Sequence, residues 1–348
     1  MKIQENIPLA PCTTFKVGGP ARYFAEAFSE LDIQNALEFS TSRKLALFVL
    51  GGGSNLVVSD EGWPGLVVKV SIPGIQTGTA NGKMLFHVGA GEDWDGFVAK
   101  AVAADCAGIE CLSGIPGTVG GTPVQNVGAY GQEVAETITR VRALEVATGK
   151  ISEMSNAECG FSYRTSIFNS TERGRYIVLA TTFALTSGGK PRIEYADLKK
   201  YFANASTPPS LRETRNAVRT IRHGKAMLIT PDDEDCRSAG SFFKNPILTT
   251  DQYDALNKVV RVMNKQIPTY PAGEGKVKIA AAWLVENAGF HKGYSLGPVG
   301  ISRKHSLAIV NRGGAKATDI VALKNQVQQR VRQVFGMDLH PEPVFVGF

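Results

Sequence analysis

An α+β fold is what this sequence predicts, strand-rich up to about residue 188 and helix-rich after about residue 224. Three observations carry that prediction. Short apolar runs alternate with turn residues through the first half of the chain. Amphipathic patterns of helical period dominate the last third. Two glycine-rich loops interrupt the strand-rich part, residues 51–55 (GGGSN) and residues 112–132 (LSGIPGTVGGTPVQNVGAYGQ). Each glycine costs roughly 1 kcal/mol against alanine in a helix, so neither loop reads as regular structure.

Residues 1–28 read as turn-rich, with Thr13, Thr14 and Phe15 leading to Gly18, Gly19 and Pro20. Ser29 then offers a helix cap, Glu30 and Asp32 sit at the positive end of the dipole, and Ile33, Ala36 and Leu37 form a stripe up to about Lys44. Residues 45–50 read as a strand that feeds the 51–55 loop, followed by strands at 56–58 and 66–70. Glu92 and Asp93 open a helix with Trp94, Phe97, Val98, Ala101 and Val102 at helical spacing, and Gly108 reads as its C′ residue. Beyond residue 132 come strands at 141–146, 151–154 and 176–185, with Thr148 and Gly149 as a hairpin turn. Residues 203–216 read as a linker leading into a helix, and residues 231–235 (PDDED) as a solvated acidic turn. Helices are expected at 251–265, with Tyr253, Leu256, Val260 and Met263 on one face, at 278–287, and at 318–335, closed by Gly336; a strand at 307–310 separates the last two.

A length of 348 residues accommodates two or three domains. The net charge of +6 comes from dispersed Lys and Arg, which suits phosphorylated small molecules and gives no nucleic-acid ribbon. The five cysteines include no CxxC pair, which reads as reduced thiols in a cytoplasmic protein. The first residues lack the apolar core of a signal peptide, and no run approaches the ~18 apolar residues that span a membrane. The five histidines (His87, His223, His291, His305, His340) form no metal motif, and no G-x-S-x-G occurs. A dinucleotide fingerprint fails because Leu56 stands at its third glycine and a strand follows; Gly-Lys-Ser/Thr is missing as well.

Glycines let backbone amides approach a ligand, so residues 112–132 read as a cradle for a large phosphate-bearing cofactor. Residues 51–55 alone read equally as an anion site or a plain tight turn. Three further clusters could carry chemistry: Ser241 between Gly240 and Phe242, Arg164 among the aromatics of 160–168 (GFSYRTSIF), and Glu342 between Pro341 and Pro343. Arg164 could hold a carboxylate bidentately, and the prolines restrict Glu342 to an extended segment. Taken one at a time, all three favour a structural role.

The ordered set says more than its members. Residues 13–21 (TTFKVGGPA), 51–55 (GGGSN), 115–131 (IPGTVGGTPVQNVGAYG), 158–168 (ECGFSYRTSIF), 239–246 (AGSFFKNP) and 341–347 (PEPVFVG) resemble, in order, the UDP-N-acetylenolpyruvoylglucosamine reductases, also called UDP-N-acetylmuramate dehydrogenases. The resemblance spans nearly the whole chain. It implies a vanillyl-alcohol-oxidase-type (PCMH) FAD-binding fold of two subdomains, residues 1–70 and 71–224 with the PCMH region at about 18–188, and a C-terminal α+β substrate domain at 225–348.

In this resemblance Gly51, Gly52, Gly53, Ser54 and Asn55, with Gly117, Thr118, Gly120, Gly121 and Thr122, hold the FAD pyrophosphate through backbone N–H groups. Asn126, Gly128, Ala129 and Tyr130 lie near the flavin ring. No histidine occurs in either loop, so FAD is expected to be non-covalent. NADPH reduces FAD, and the enolpyruvyl ether of the UDP-sugar then takes hydride at C3 and a proton at C2. Ser241 is implied as the proton donor, with Arg164 and Glu342 stabilising the enediolate. Tyr163, Tyr195, Lys225, Asn245 and Tyr270 are implied substrate contacts, and Tyr270 matches the mobile loop of the type I subgroup. His305 stands where some members have Gln and reads as a substrate contact or a structural residue. His340 replaces a second Glu of many members. The spacer at 227–236 is longer and more acidic than in many members, which bears on Lys225. The expected protein is a cytoplasmic monomer with no nucleic-acid or membrane partner. An FAD-linked sugar or lactone oxidase of the same superfamily is the alternative, and a silent flavin or UDP-sugar binder a third reading.

Overall fold

Helix α1 (Glu30–Ser42) begins where its sequence signals it: the Ser29 hydroxyl accepts from the Asp32 amide, and Ile33, Ala36 and Leu37 are buried. It belongs to the first of two compact units in the computed structural model, which describes residues 1–231 and 233–348. That unit comprises Met1–Ile7, Ala21–Gly53 and Trp63–Leu228.

Two sheets build it. In the first the strands run Ile3–Pro8, Pro20–Ala27, Trp63–Val70, Leu47–Leu50, the last three mutually parallel. In the second they run Ile151–Ser155, Ile138–Glu145, Tyr176–Ser187, Lys83–Gly89, Ile75–Ala80, all antiparallel. The 151–187 region forms the strands expected, and Thr148 and Gly149 (φ 68°) turn the first hairpin. One apolar core joins both sheets: Ala25, Leu66 and Val68 meet α1, Trp94, Phe97, Val141 and Phe183. Arg142 on the second sheet grips Glu30 of α1 through Nε at 2.6 Å and Nη2 at 2.9 Å.

The structure corrects several expectations. Residues 1–28 contain two strands, because the Pro20–Ala27 backbone finds its ladder on Trp63–Val70, some forty residues on and outside any local window. Helix α2 (Trp94–Ala103) buries the five apolar residues expected but stops short of Gly108; Asp105 turns left-handed at φ 53° and Cys106–Ala107 pairs as a strand. Helix α3 (Ala196–Tyr201) and the 75–89 hairpin have no counterpart in the sequence reading. Helix α4 (Leu211–Gly224) starts inside the expected linker, where Ser210 and Glu213 form a capping box.

The second unit comprises Pro8–Pro20, Ser54–Gly62 and Ile229–Phe348, so the two N-terminal segments fold with the C-terminal part. Helices α5 (Thr250–Val262), α6 (Ala281–Asn287) and α7 (Ala317–Phe335) pack on a core that includes Phe15, Val57, Phe242, Leu284 and Val327. Gly336 closes α7 at φ 64°, as expected, while both Asp60 carboxylate oxygens accept from its first amides, Ala317 and Thr318. Lys278 and Ile279, expected in a helix, lie in the strand Lys276–Ile279, paired on both sides by Ile247–Thr249 and Thr269–Pro271. The C-terminal strand Val344–Val346 runs parallel to Leu56–Val58.

Candidate active site

In the first unit the two glycine-rich loops meet backbone to backbone. A Cβ on Gly52 would lie 2.5 Å from the Gly117 Cα and 2.8 Å from its carbonyl carbon. Among the described residues the amides of Gly51, Gly52, Gly53, Gly117 and Thr118 donate no hydrogen bond. Neighbouring amides are committed elsewhere: Gly120 to the Ala90 carbonyl, Gly121 to Thr118, and Thr122 to Val119. The set of N–H groups open to an anion is therefore narrower than the sequence pattern implies, and it is concentrated where the loops touch.

The far end of the 112–132 stretch is a miniature hairpin. Gly128–Ala129 pairs with Gln132–Glu133, and Tyr130 (φ 49°) and Gly131 (φ 87°) make its turn. Asn126 is buried and fully engaged: its amide donates to the Glu133 carboxylate and the Ser162 carbonyl, and its oxygen accepts from Ala135 N–H. Arg164, itself at φ 55°, donates from Nη2 to the Gly128 carbonyl at 2.6 Å, and its guanidinium lies 5.4 Å from the Tyr163 ring centre.

Tyr130 gathers two of the residues singled out for the substrate. Tyr195 meets it edge to face at 5.3 Å, and the Lys225 ammonium lies 6.0 Å from its ring centre while pairing with Asp197 at 2.6 Å. Burial pushes the Tyr130 hydroxyl pKa up, against the lowering charges of Arg222 and Lys225. Sequence reasoning missed Arg222, which is buried, interacts electrostatically with Tyr130, and donates to the Gly114 and Met227 carbonyls. It also missed Asp95, which accepts from Gly114 N–H at 2.6 Å, from Arg215 and from Arg219. Burial raises the Asp95 pKa, but the Arg215 and Gly114 hydrogen bonds outweigh it and hold the carboxyl below its usual range. A signal existed: Arg215, Arg219 and Arg222 share one face of α4 at helical spacing.

In the second unit three separate segments are stitched side by side. The Phe242 amide donates to the Leu307 carbonyl, and the Phe242 carbonyl accepts from Glu342 N–H, both at 2.8 Å. Lys244 N–H reaches the His340 carbonyl, and the Asn55 side-chain amide holds the Glu342 carbonyl at 3.1 Å. This brings Ser241, His305 and Glu342 onto adjoining backbone, with Ser241 Oγ 3.3 Å from His305 Nε2. Gly240 at φ 71° permits the turn before Ser241, and buried Phe242 and Phe243 anchor it. Asn245 accepts the first α6 amide, Ala281, through its side-chain oxygen. Tyr270 is half exposed on the edge strand Thr269–Pro271.

The acidic segment is only partly solvated at its described residues: Pro231 and Glu234 are exposed. Asp232 lies outside the described residues, but Asp235 is 1% exposed, and its Oδ2 accepts from Ser302 Oγ and Arg303 N–H. Asp233 pairs with Lys304 at 2.6 Å. The segment is drawn inward because it braces the turn that bears His305. Ser54 and Asn55 belong to this unit, whereas Gly51, Gly52, Gly53 and Arg164 belong to the first.

Among the described residues no group of three His, Cys, Asp or Glu could hold a metal ion, and no helix is long and apolar enough to cross a membrane. A family model described as "UDP-N-acetylenolpyruvoylglucosamine reductase, C-terminal domain" matches residues 231–346, and one described as "FAD binding domain" matches residues 21–155. A UDP-N-acetylenolpyruvoylglucosamine reductase of Thermobifida fusca is 45% identical over 99% of this chain and 98% of its own length. The chain belongs to the UDP-N-acetylenolpyruvoylglucosamine reductase family. A second member of that family, from Streptomyces coelicolor, is 43% identical over 99% of this chain and 91% of its own. The crystal structure of the reductase from Thermus caldophilus superposes with a TM-score of 0.67 at 25% identity, covering 99% of both chains. Family membership makes the chain an FAD-dependent oxidoreductase with a PCMH-type FAD-binding domain on an α+β fold. The cradle suits that cofactor: unpaired amides converge where a Cβ would not fit.

Proposed function

We propose that the chain reduces the enolpyruvyl ether UDP-N-acetyl-3-O-(1-carboxyvinyl)-glucosamine to UDP-N-acetylmuramate with electrons from NADPH, a step of peptidoglycan precursor synthesis. One observation carries the reading: near-full-length identity to reductases of this name, with Ser241, Arg164 and Glu342 all present. FAD, held non-covalently, would carry the electrons between NADPH and the ether.

The Gly51–Gly53, Gly117 and Thr118 amides would hold the FAD pyrophosphate, since preorganised backbone dipoles need no reorganisation to bind a diphosphate. Lys225 and Tyr195 receive the UDP moiety: a cation answers the diphosphate, and a half-exposed ring offers a face to the uracil. Asn245 and Tyr270 add contacts to the sugar and diphosphate.

Arg164 and Glu342 hold the substrate carboxylate as negative charge develops on it. Ser241 delivers its hydroxyl proton to C2. A serine is a weak acid, so the transfer works only onto a strongly basic enediolate in a fixed geometry. The same reading makes the protein a cytoplasmic monomer.

The test is spectroscopic. The purified protein should be yellow, bleach with NADPH under anaerobic conditions, and regain the oxidised spectrum when the enolpyruvyl ether is added. Failure of the ether to restore the spectrum would refute the proposal. Flavin that stays with the acid-precipitated protein would refute non-covalent binding.

A further inference from the structure

We infer that His305 is a positioning residue for Ser241: it donates a hydrogen bond to the serine oxygen, aims the hydroxyl proton at the acceptor carbon, and steadies the oxygen that loses it. The inference rests on the reading of Ser241 as proton donor. It goes further by assigning His305 a role through Ser241 and not through the substrate.

The tautomer carries the argument. The Leu307 amide points at His305 Nδ1, 3.4 Å away. An N–H can be received only by a ring nitrogen that carries no proton, so the neutral ring holds its hydrogen on Nε2. Nε2 faces Ser241 Oγ at 3.3 Å, and His305 is therefore the donor in that pair. A serine oxygen has two lone pairs and one proton. Accepting from Nε2 occupies a lone pair and leaves the O–H free to point elsewhere.

The ring is held from behind. Ser302 Oγ receives the amides of Lys304 and His305, at 3.1 and 3.3 Å, and itself donates to buried Asp235. Asp235 also takes the Arg303 amide at 2.7 Å. The turn is thus built around a carboxylate supplied by the acidic segment. The backbone bond from Phe242 to Leu307 then fixes the distance between the turn and Ser241.

In the transfer the Ser241 O–H bond breaks and the C2–H bond forms. The O–H electron pair stays on Oγ, which becomes an alkoxide until it regains a proton from water. A donor already facing Oγ is a preorganised stabiliser of that charge. Without it, Oγ carries the charge with one fewer partner, and the hydroxyl can rotate.

The test uses the flavin-loaded full-length protein in the two half-reactions followed separately. His305→Phe keeps a flat aromatic ring, somewhat larger than imidazole, and removes the N–H. It should slow reoxidation by the enolpyruvyl ether by about tenfold to hundredfold, with reduction by NADPH within about threefold. His305→Gln, whose amide can donate, should recover to within about fivefold of the parent. Adding H305F to Ser241→Ala should slow reoxidation no further, because a residue acting through Ser241 has nothing left to act on. Additive losses in the double variant would overturn the inference in favour of direct substrate contact. Equal losses in H305F and H305Q, or in both half-reactions of H305F, would overturn it too. Slow reoxidation by S241A with fast reoxidation by H305F sinks only this inference. Normal reoxidation by S241A removes the reading beneath it.

Discussion

Gly52→Ala puts the meeting of the two loops to a direct test. The new Cβ would sit 2.5 Å from the Gly117 Cα, 2.8 Å from its carbonyl carbon and 3.0 Å from the Thr118 nitrogen. Carbon atoms rest about 3.5–4.0 Å apart, so the loops must separate by roughly 1 Å. The neighbour is backbone, which cannot swing aside as a side chain would. Overpacking of this kind costs about 1–3 kcal/mol, and the displaced amides are those assigned to the pyrophosphate. FAD affinity should therefore fall by about fivefold to 150-fold, since 1.4 kcal/mol is about tenfold. Quenching of flavin fluorescence on titration into apoprotein measures this, with thermal melting of the apoprotein alongside. Gly78→Ala is the control, because a Cβ there meets nothing within 4 Å. Binding by G52A within twofold of the parent, with an unchanged melting temperature, would refute the reasoning.

Three further outcomes are expected. Asp95→Asn should destabilise the protein by about 2 kcal/mol at pH 7, because it leaves Arg215 and Arg219 short of their partner. The folded Asp95 pKa lies below its unfolded value, so its contribution is complete above the unfolded pKa and is lost as pH falls through the folded one. The gap in chemical-denaturation midpoint between D95N and the parent should accordingly narrow as pH falls below the unfolded carboxyl value, and a gap constant with pH would contradict this. Arg164→Lys loses the planar fork and should slow reoxidation by the ether about 100-fold while NADPH reduction changes little; equal slowing of both halves would argue against its role. Burial pushes the Cys159 thiol up to about 12, so at pH 8 it should react with a disulfide reagent only after denaturation, and rapid native labelling at that residue would contradict the burial.

Much of the fold was legible locally because its signals are local. Ser29 caps α1 through the amide three residues on, the α2 stripe repeats every turn, and Gly336 ends α7 with a left-handed residue. What escaped depends on partners far along the chain. Pro20–Ala27 is a strand because Trp63–Val70 lies beside it, and Lys278 is in a strand because it is paired on both sides.

The site divides the same way. The ordered resemblance to the family singles out the glycine loops, Arg164, Ser241 and Glu342, although each stretch taken alone favours or equally allows a structural role. Sequence spacing cannot say which amides of a glycine loop face a ligand. That was decided by packing, which commits Gly120, Gly121 and Thr122 to protein carbonyls and leaves Gly117 and Thr118 open. Nor can a run of acids reveal whether it is solvated; burial of Asp235 beneath Ser302 settles that. The hydrogen-bond partners of Arg222 and His305 likewise emerge only when segments remote in sequence come within reach. A hydrogen bond needs atoms about 3 Å apart, and the fold alone sets that distance.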